Sequence, residues 1–151
     1  MDVIIFIGLQ GAGKSTLYQT RFAATHAYIS KDALNRSKTM NKATKQNMLL
    51  EETLQADRSV VIDNTNPTKE DREPLVRLSH LYNATVIGYY FDASISECLA
   101  RNRERAGKAR VPDKAIYITS KRMVLPTFEE GFDRLFRVHT ANDGLFEVVD
   151  F

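Results

Sequence analysis

The chain has 151 residues, 43% hydrophobic and 26% charged, with 21 basic against 19 acidic side chains. That size and balance predict a single domain, residues 1–151, large enough to bury a sizeable core. No run approaches the ~20 apolar residues of a membrane span, and the N-terminus lacks a signal peptide's basic-then-apolar layout. One cysteine, Cys98, excludes an internal disulfide, fits a reducing cytoplasm and is expected as a small buried residue.

Val3-Ile4-Ile5-Phe6-Ile7 is a short apolar run of the kind buried in a parallel sheet. Gly8-Leu9-Gln10-Gly11-Ala12-Gly13-Lys14-Ser15-Thr16 follows and reads G-x-x-x-x-G-K-S, the phosphate-binding loop of nucleoside triphosphate proteins. A helix from Ser15 to Ala24, with Leu17, Phe22 and Ala24 as its apolar positions, completes strand, glycine loop and helix. The glycines let backbone N–H groups turn onto phosphate oxygens, and the helix N-terminus adds positive potential. ATP is therefore expected on Gly8, Gln10, Gly11, Ala12, Gly13, Lys14, Ser15 and Thr16. Lys14 would reach the β- and γ-phosphates, and the Ser15 hydroxyl would ligate Mg²⁺.

Ala27 to Ser30 predicts a second strand, with Lys31-Asp32 at its C-terminal end. From Ala43 to Asp57 the spacing is helical, with Met48, Leu49, Leu50 and Leu54 on one side. Ser59 to Ile62 is a third strand running into Asp63-Asn64-Thr65-Asn66-Pro67. Thr68 to Asp71 forms a capping box for a helix towards Tyr82, which Pro74 should kink or split. A fourth strand spans Ala84 to Phe91, and the tyrosines and phenylalanines of the chain, mostly in strands, are read as core. Ser94 to Glu97 caps the next helix, Gly107 interrupts it, and Val111-Pro112 opens another to about Val124. Leu135–Thr140 and Leu145–Asp150 are the last strands, joined as a hairpin through Ala141 to Gly144. Alternating strands and helices predict a three-layer α/β fold with a mainly parallel sheet. Ligands in such sheets sit at the C-terminal strand ends, where the loop, Asp32 and Asp63 all fall.

Phosphoryl transfer needs a cradle for the donor, a group that activates the acceptor, and charge to offset the moving phosphoryl. Asp32 is placed to accept an acceptor hydroxyl's proton, a role compatible with capping the segment after it. Asp63 ends a buried strand where such proteins hold Mg²⁺, although its surroundings are also rich in turn residues. Asn64, Thr65 and Asn66 are candidate substrate hydrogen-bonders or supports for the site. Residues 101 to 122 hold eight basic side chains against two acidic ones, net +6, leaving −4 for the rest. Such a segment suggests a polyanion site or a solvated helix face. Arg101 and Arg105, four apart, would share a face of a lid at about 101–112, with Gly107 as hinge. His26, His80 and His139 show no metal or triad spacing.

Five stretches together resemble the kinase domain of polynucleotide 5′-hydroxyl kinases. They are the phosphate loop, Ile29-Ser30-Lys31-Asp32, Val61 to Pro67, Arg101-Asn102-Arg103-Glu104-Arg105 and Thr127-Phe128-Glu129-Glu130-Gly131-Phe132. The resemblance runs from about Val3 to Val138. The third and fifth stretches are most like the eukaryotic repair enzymes, and the lid spacing is also like the phage enzyme. It implies Asp32 as general base, Lys14 and Ser15 as phosphate and Mg²⁺ ligands, Arg105 as lid arginine and Asp63 as an active-site acid. The phage pattern has an arginine three residues after the base; here Asn35 stands there and Arg36 follows, a substitute contact for substrate. The repair members carry a phosphatase or ligase domain, so any second activity would come from another protein. The expected function is ATP-dependent phosphorylation of a DNA or RNA 5′-hydroxyl. A small-molecule kinase and an ATP-binding regulatory module are the alternatives from the residues themselves.

Overall fold

In β1 (Asp2–Ile7) every residue after the first is buried, but not on one side. Val3, Ile5 and Ile7 join one core cluster, while Ile4 and Phe6 join the other. This period of two, apolar on both faces, requires a strand covered above and below by helices. The structure is a computed structural model describing residues 1–35, 37–140 and 145–151. Arg36 and the 141–144 turn of the expected hairpin lie outside the described residues.

Beside β1 stand β2 (Ala27–Ile29), β3 (Val60–Asp63), β4 (Thr85–Phe91), β5 (Arg134–Thr140) and β6 (Phe146–Asp150), in the order β2-β3-β1-β4-β5-β6. The first five run parallel and β6 returns antiparallel along β5. Register is set at the centre, where Ile5 of β1 lies opposite Ile62 on one side and Gly88 on the other.

Among the described residues five α-helices cover the sheet: α1 (Lys14–Arg21), α2 (Lys42–Gln55), α3 (Lys69–Leu81), α4 (Ile95–Arg103) and α5 (Asp113–Arg122). Leu50 and Leu54 of α2 and Leu75 and Val76 of α3 pack on one face. Leu17 of α1, Cys98 and Leu99 of α4 and Ile116 of α5 pack on the other. The expected three-layer α/β architecture with a mainly parallel sheet is the one observed.

The helix starts follow local chemistry. Thr68 and Asp71 form the reciprocal capping box of α3, and Ser94 accepts from the Glu97 backbone at α4. Several expectations change in detail. The first helix ends at Arg21, because the Phe22 and Ala23 N–H groups both turn onto the Tyr18 carbonyl. α3 runs unbroken through Pro74; the donor that proline removes would have served only the Glu70 carbonyl near the start. α5 begins after Pro112 and ends at Arg122, since the Val124 N–H leaves the helix for the Pro67 carbonyl at 2.7 Å. On α2, Met48 is 47% exposed, and the buried stripe is Gln46, Leu50, Thr53 and Leu54.

A charged group also sits deep inside. Arg72 of α3 is fully buried and holds Glu130 through two bonds of 2.8 and 3.0 Å. Its remaining nitrogen donates to the carbonyls of Asn66 and Val124, each at 3.0 Å. Glu130 also accepts from the Thr127 N–H at 2.9 Å. One guanidinium thus ties together the segment after β3, the exit of α5 and the turn before β5. Cutting a buried pair on one side leaves an uncompensated charge, at a cost of about 3–5 kcal/mol. Arg72→Ala is expected to lose about that much in urea unfolding, whereas Arg77→Ala, which breaks an exposed pair with Glu73, should show no measurable loss.

Candidate active site

The loop between β1 and α1 is built by exclusion of side chains. Gly11 and Gly13 have φ of +82° and +96°, the left-handed region that favours glycine. A Cβ on Gly11 would stand 2.6 Å from the Cys98 carbonyl oxygen, and one on Gly13 2.9 Å from the Phe146 ring. The loop backbone is therefore packed against α4 on one side and β6 on the other.

Lys14, the first residue of α1, is buried, and its Nζ donates to the carbonyls of Gly8 at 2.8 Å and Leu9 at 2.7 Å. Burial lowers its pKa to about 8, with Arg105 pushing the same way and Asp63, Cys98 and Asp32 opposing. An ammonium held in a glycine loop at a helix N-terminus fits an anionic phosphate chain, which would restore its lost solvation.

Ser15 and Asp63 meet across the loop: the Ser15 hydroxyl donates to Asp63 Oδ2 at 2.9 Å. A hydroxyl and a carboxylate together are hard oxygen donors of the kind Mg²⁺ takes, usually in ones and twos from the protein. The same Oδ2 accepts a 2.7 Å bond from the Tyr28 hydroxyl. Tyr28 is 38% exposed and its ring lies 4.5 Å from that of Tyr18. Burial and the bond to Asp63 raise its pKa to about 12, so it stays a donor. The reading of the tyrosines as core fails here: Tyr28 steadies a site carboxylate.

Asp32 lies in a 3-10 turn, Lys31–Ala33, directly after β2, with its backbone N–H on Ser30 Oγ at 3.3 Å. Its side chain is exposed. Asn64 is committed inside the protein. Its Oδ1 accepts from the Lys31 N–H at 2.8 Å, and its Nδ2 donates to Gln46 Oε1 at 2.6 Å. Both its amide atoms are thus engaged within the protein. The Thr65 carbonyl accepts from the Gly8 N–H at 3.1 Å, joining the β3 end to the phosphate loop. Arg36 lies outside the described residues.

The arginines part company. Arg101 of α4 donates to the Gly11 carbonyl at 3.3 Å and to Thr140 Oγ1 at 2.7 Å, bridging loop and β5. Arg105 lies past the end of α4, so the two do not share a helix face; its guanidinium donates to the Ala109 carbonyl at 3.4 Å. The helix stops because Asn102, fully buried, turns its amide onto Val111, accepting from its N–H at 3.0 Å and donating to its carbonyl at 2.6 Å. Gly107 takes a φ of +61° within the loop so closed. Gln10 points away from the phosphate side, donating to Thr119 of α5 at 3.0 Å; Ala12 is buried and Thr16 exposed. A cleft of about 350 Å³ beside the loop has Gly8, Leu9, Phe91, Met123 and Leu125 among its walls and no charged side chain.

Gln46, Asn102, Arg72 and Tyr28 carry the site's supports and were passed over in sequence. Three of them had a signal: a polar residue on a helix's apolar stripe must find a partner inside.

Comparison with known proteins places this geometry. Residues 3–126 match the family described as AAA domain. A fission yeast protein (Schizosaccharomyces pombe), "Bifunctional polynucleotide phosphatase/kinase", is 30% identical over 144 residues. The match covers 91% of this chain but 33% of that protein, so the chain spans about a third of this relative's length. Among solved structures, a fungal RNA kinase superposes with TM-score 0.68 at 16% identity, covering 91% of this chain and 75% of that one. A gluconokinase from Sinorhizobium meliloti gives 0.66 at 18% identity, with 93% and 83% covered. By its family match and its sheet, loop and helices, the chain belongs to the AAA domain family, with the fold of a P-loop kinase.

Proposed function

We propose that this chain is a kinase that transfers the γ-phosphate of ATP to a 5′-hydroxyl end of DNA or RNA, with Asp32 as general base. The observation that carries the reading is the set of hydrogen bonds that ties the Asp32 turn to the phosphate loop. Asn64 accepts from the Lys31 N–H beside Asp32, and its neighbour Asp63 accepts from Ser15, the residue after Lys14. A base and a γ-phosphate ligand must share one space for in-line transfer.

In this scheme the acceptor oxygen attacks the γ-phosphorus, the bond to the β-phosphate oxygen breaks, and ADP leaves. The acceptor proton passes to the Asp32 carboxylate. Lys14 stays protonated on the β- and γ-oxygens, and Arg105 offsets charge on the transferring group. Ser15 and Asp63 would hold Mg²⁺, which when bound neutralises phosphate charge; Tyr28 keeps Asp63 oriented. Arg101 and the loop residues Gly8, Gln10, Gly11, Ala12, Gly13 and Thr16 complete the ATP site, mainly through backbone. Thr65 and Arg36 belong to the acceptor side.

The name of the fission yeast relative and the basic segment 101–122 support a polynucleotide acceptor. Among the described residues no helix is long and apolar enough to cross a membrane, and we place the enzyme in the cytoplasm.

Labelled γ-phosphate from ATP and Mg²⁺ is expected at the 5′ end of 5′-hydroxyl oligonucleotides. Asp32→Ala should lose at least about 100-fold in transfer while ATP affinity holds. Transfer to a metabolite such as a sugar, with none to oligonucleotides, would assign a small-molecule acceptor instead. The KM for an oligonucleotide should rise steeply between 50 and 200 mM salt, on the scale of phosphate contacts, whereas a neutral acceptor would respond little.

Lys14 adds a pH dependence. Its pKa in the free protein is about 8, and bound phosphate favours the charged form. Binding then takes up a proton, and ATP affinity falls as pH rises through about 8, by up to about tenfold per unit. Calorimetry in two buffers of different ionisation enthalpy reads the uptake directly.

A further inference from the structure

We infer that Gln46, in the middle of α2, is a positioning residue for Asp32, acting through Asn64. The inference rests on the reading of Asp32 as the general base.

The argument starts from one backbone donor. The Lys31 N–H can only donate, so the Asn64 atom 2.8 Å away must be its oxygen. That choice turns the Asn64 NH₂ towards α2, where Gln46 lies 2.6 Å away and must present its own oxygen. A single N–H thus fixes the orientation of two amides in series. Gln46 is 3% exposed, on the apolar stripe of α2 four residues before Leu50, so it cannot trade this partner for water.

The chain of bonds ends at the residue next to Asp32. Asp32 itself is exposed, in a three-residue turn whose capping bond is a 3.3 Å contact to Ser30. Little in the turn alone would fix the direction of its carboxylate. Asn64 grips the turn from β3, and α2 grips the segment a second time where Lys45 Nζ donates to the Asn35 carbonyl. Helix α2 therefore acts as the platform that aims the base, and Gln46 is the group through which it does so.

Gln46→Met removes the acceptor and keeps the volume; Gln46→Glu keeps an acceptor for Asn64. In the transfer assay Gln46→Met is expected to lower kcat about 10- to 100-fold, the scale of a small misplacement of a reacting group. The KM for ATP should stay within about twofold and kcat of Gln46→Glu within about threefold of the parent protein. Amide hydrogen exchange at Lys31 should quicken in Gln46→Met and not in Gln46→Glu. If Gln46→Met melts below the assay temperature, Gln46→Ser, too short to reach Asn64, takes its place.

Parental kcat in Gln46→Met with Asp32→Ala inactive would overturn the role of Gln46 alone. Equal losses in Gln46→Met and Gln46→Glu, or loss of ATP affinity in step with kcat, would do the same. Transfer that persists in Asp32→Ala would overturn the base assignment, and this inference with it.

Discussion

The arrangement of strand ends depends on the Arg72 guanidinium. It binds Glu130, the Asn66 carbonyl and the Val124 carbonyl at once. Those partners follow β3, follow α5 and precede β5. Asn66 is held in turn by its side chain, which donates to the Phe6 carbonyl at 2.8 Å, and adopts a φ of +45°. β1, β3 and the segment after α5 are thereby locked into one edge. Apolar packing alone would place the strands but leave the loops at their ends underdetermined. Directional bonds from a buried charge remove that freedom.

On this edge the site is built from groups under mutual constraint. Lys14 is a buried cation resting on two carbonyl oxygens, and desolvation outweighs the favourable charges of Asp63 and Asp32. Ser15, Tyr28 and Asp63 form a compact hydrogen-bonded group beside it. Both donors use the same carboxylate oxygen, so the carboxylate is oriented before any cation arrives. At the start of α1 a buried ammonium and a hydroxyl bonded to a carboxylate thus occupy successive positions.

How much of this was legible in sequence follows from the range of the interactions. The run Val3 to Ile7, the glycine loop and the capping box at Thr68 depend on neighbours within a few positions, and all were readable. The alternation of strands and helices marked a mainly parallel sheet, though not the order of its strands, and Asp32 and Asp63 were placed at strand ends by the same logic. Arg72 and Glu130, by contrast, are 58 residues apart, and Tyr28 and Asp63 are 35 apart. Nothing local marks such pairs. The helix stripes held the missing clue: Gln46 and Asn102 occupy positions that spacing assigns to the core, where a polar side chain has to be answered from elsewhere in the chain. Met48 misled for the complementary reason, since its hydrophobicity suggested burial where the helix turns it outward. Arg105 was misplaced because helical spacing was carried past a helix that Asn102 brings to an end.

That same Asn102 amide has a mechanical consequence. By bonding both the N–H and the carbonyl of Val111 it pins the two ends of the eight-residue stretch 103–110 together. A stretch tethered at both ends cannot swing like a hinged door. Its tip can stand off by about four residues' length, roughly 13 Å when fully extended. The Arg105 guanidinium, bonded to the Ala109 carbonyl, is therefore confined to the small volume that this closed loop can sweep, and the entropy of closing the loop is already spent in the folded protein.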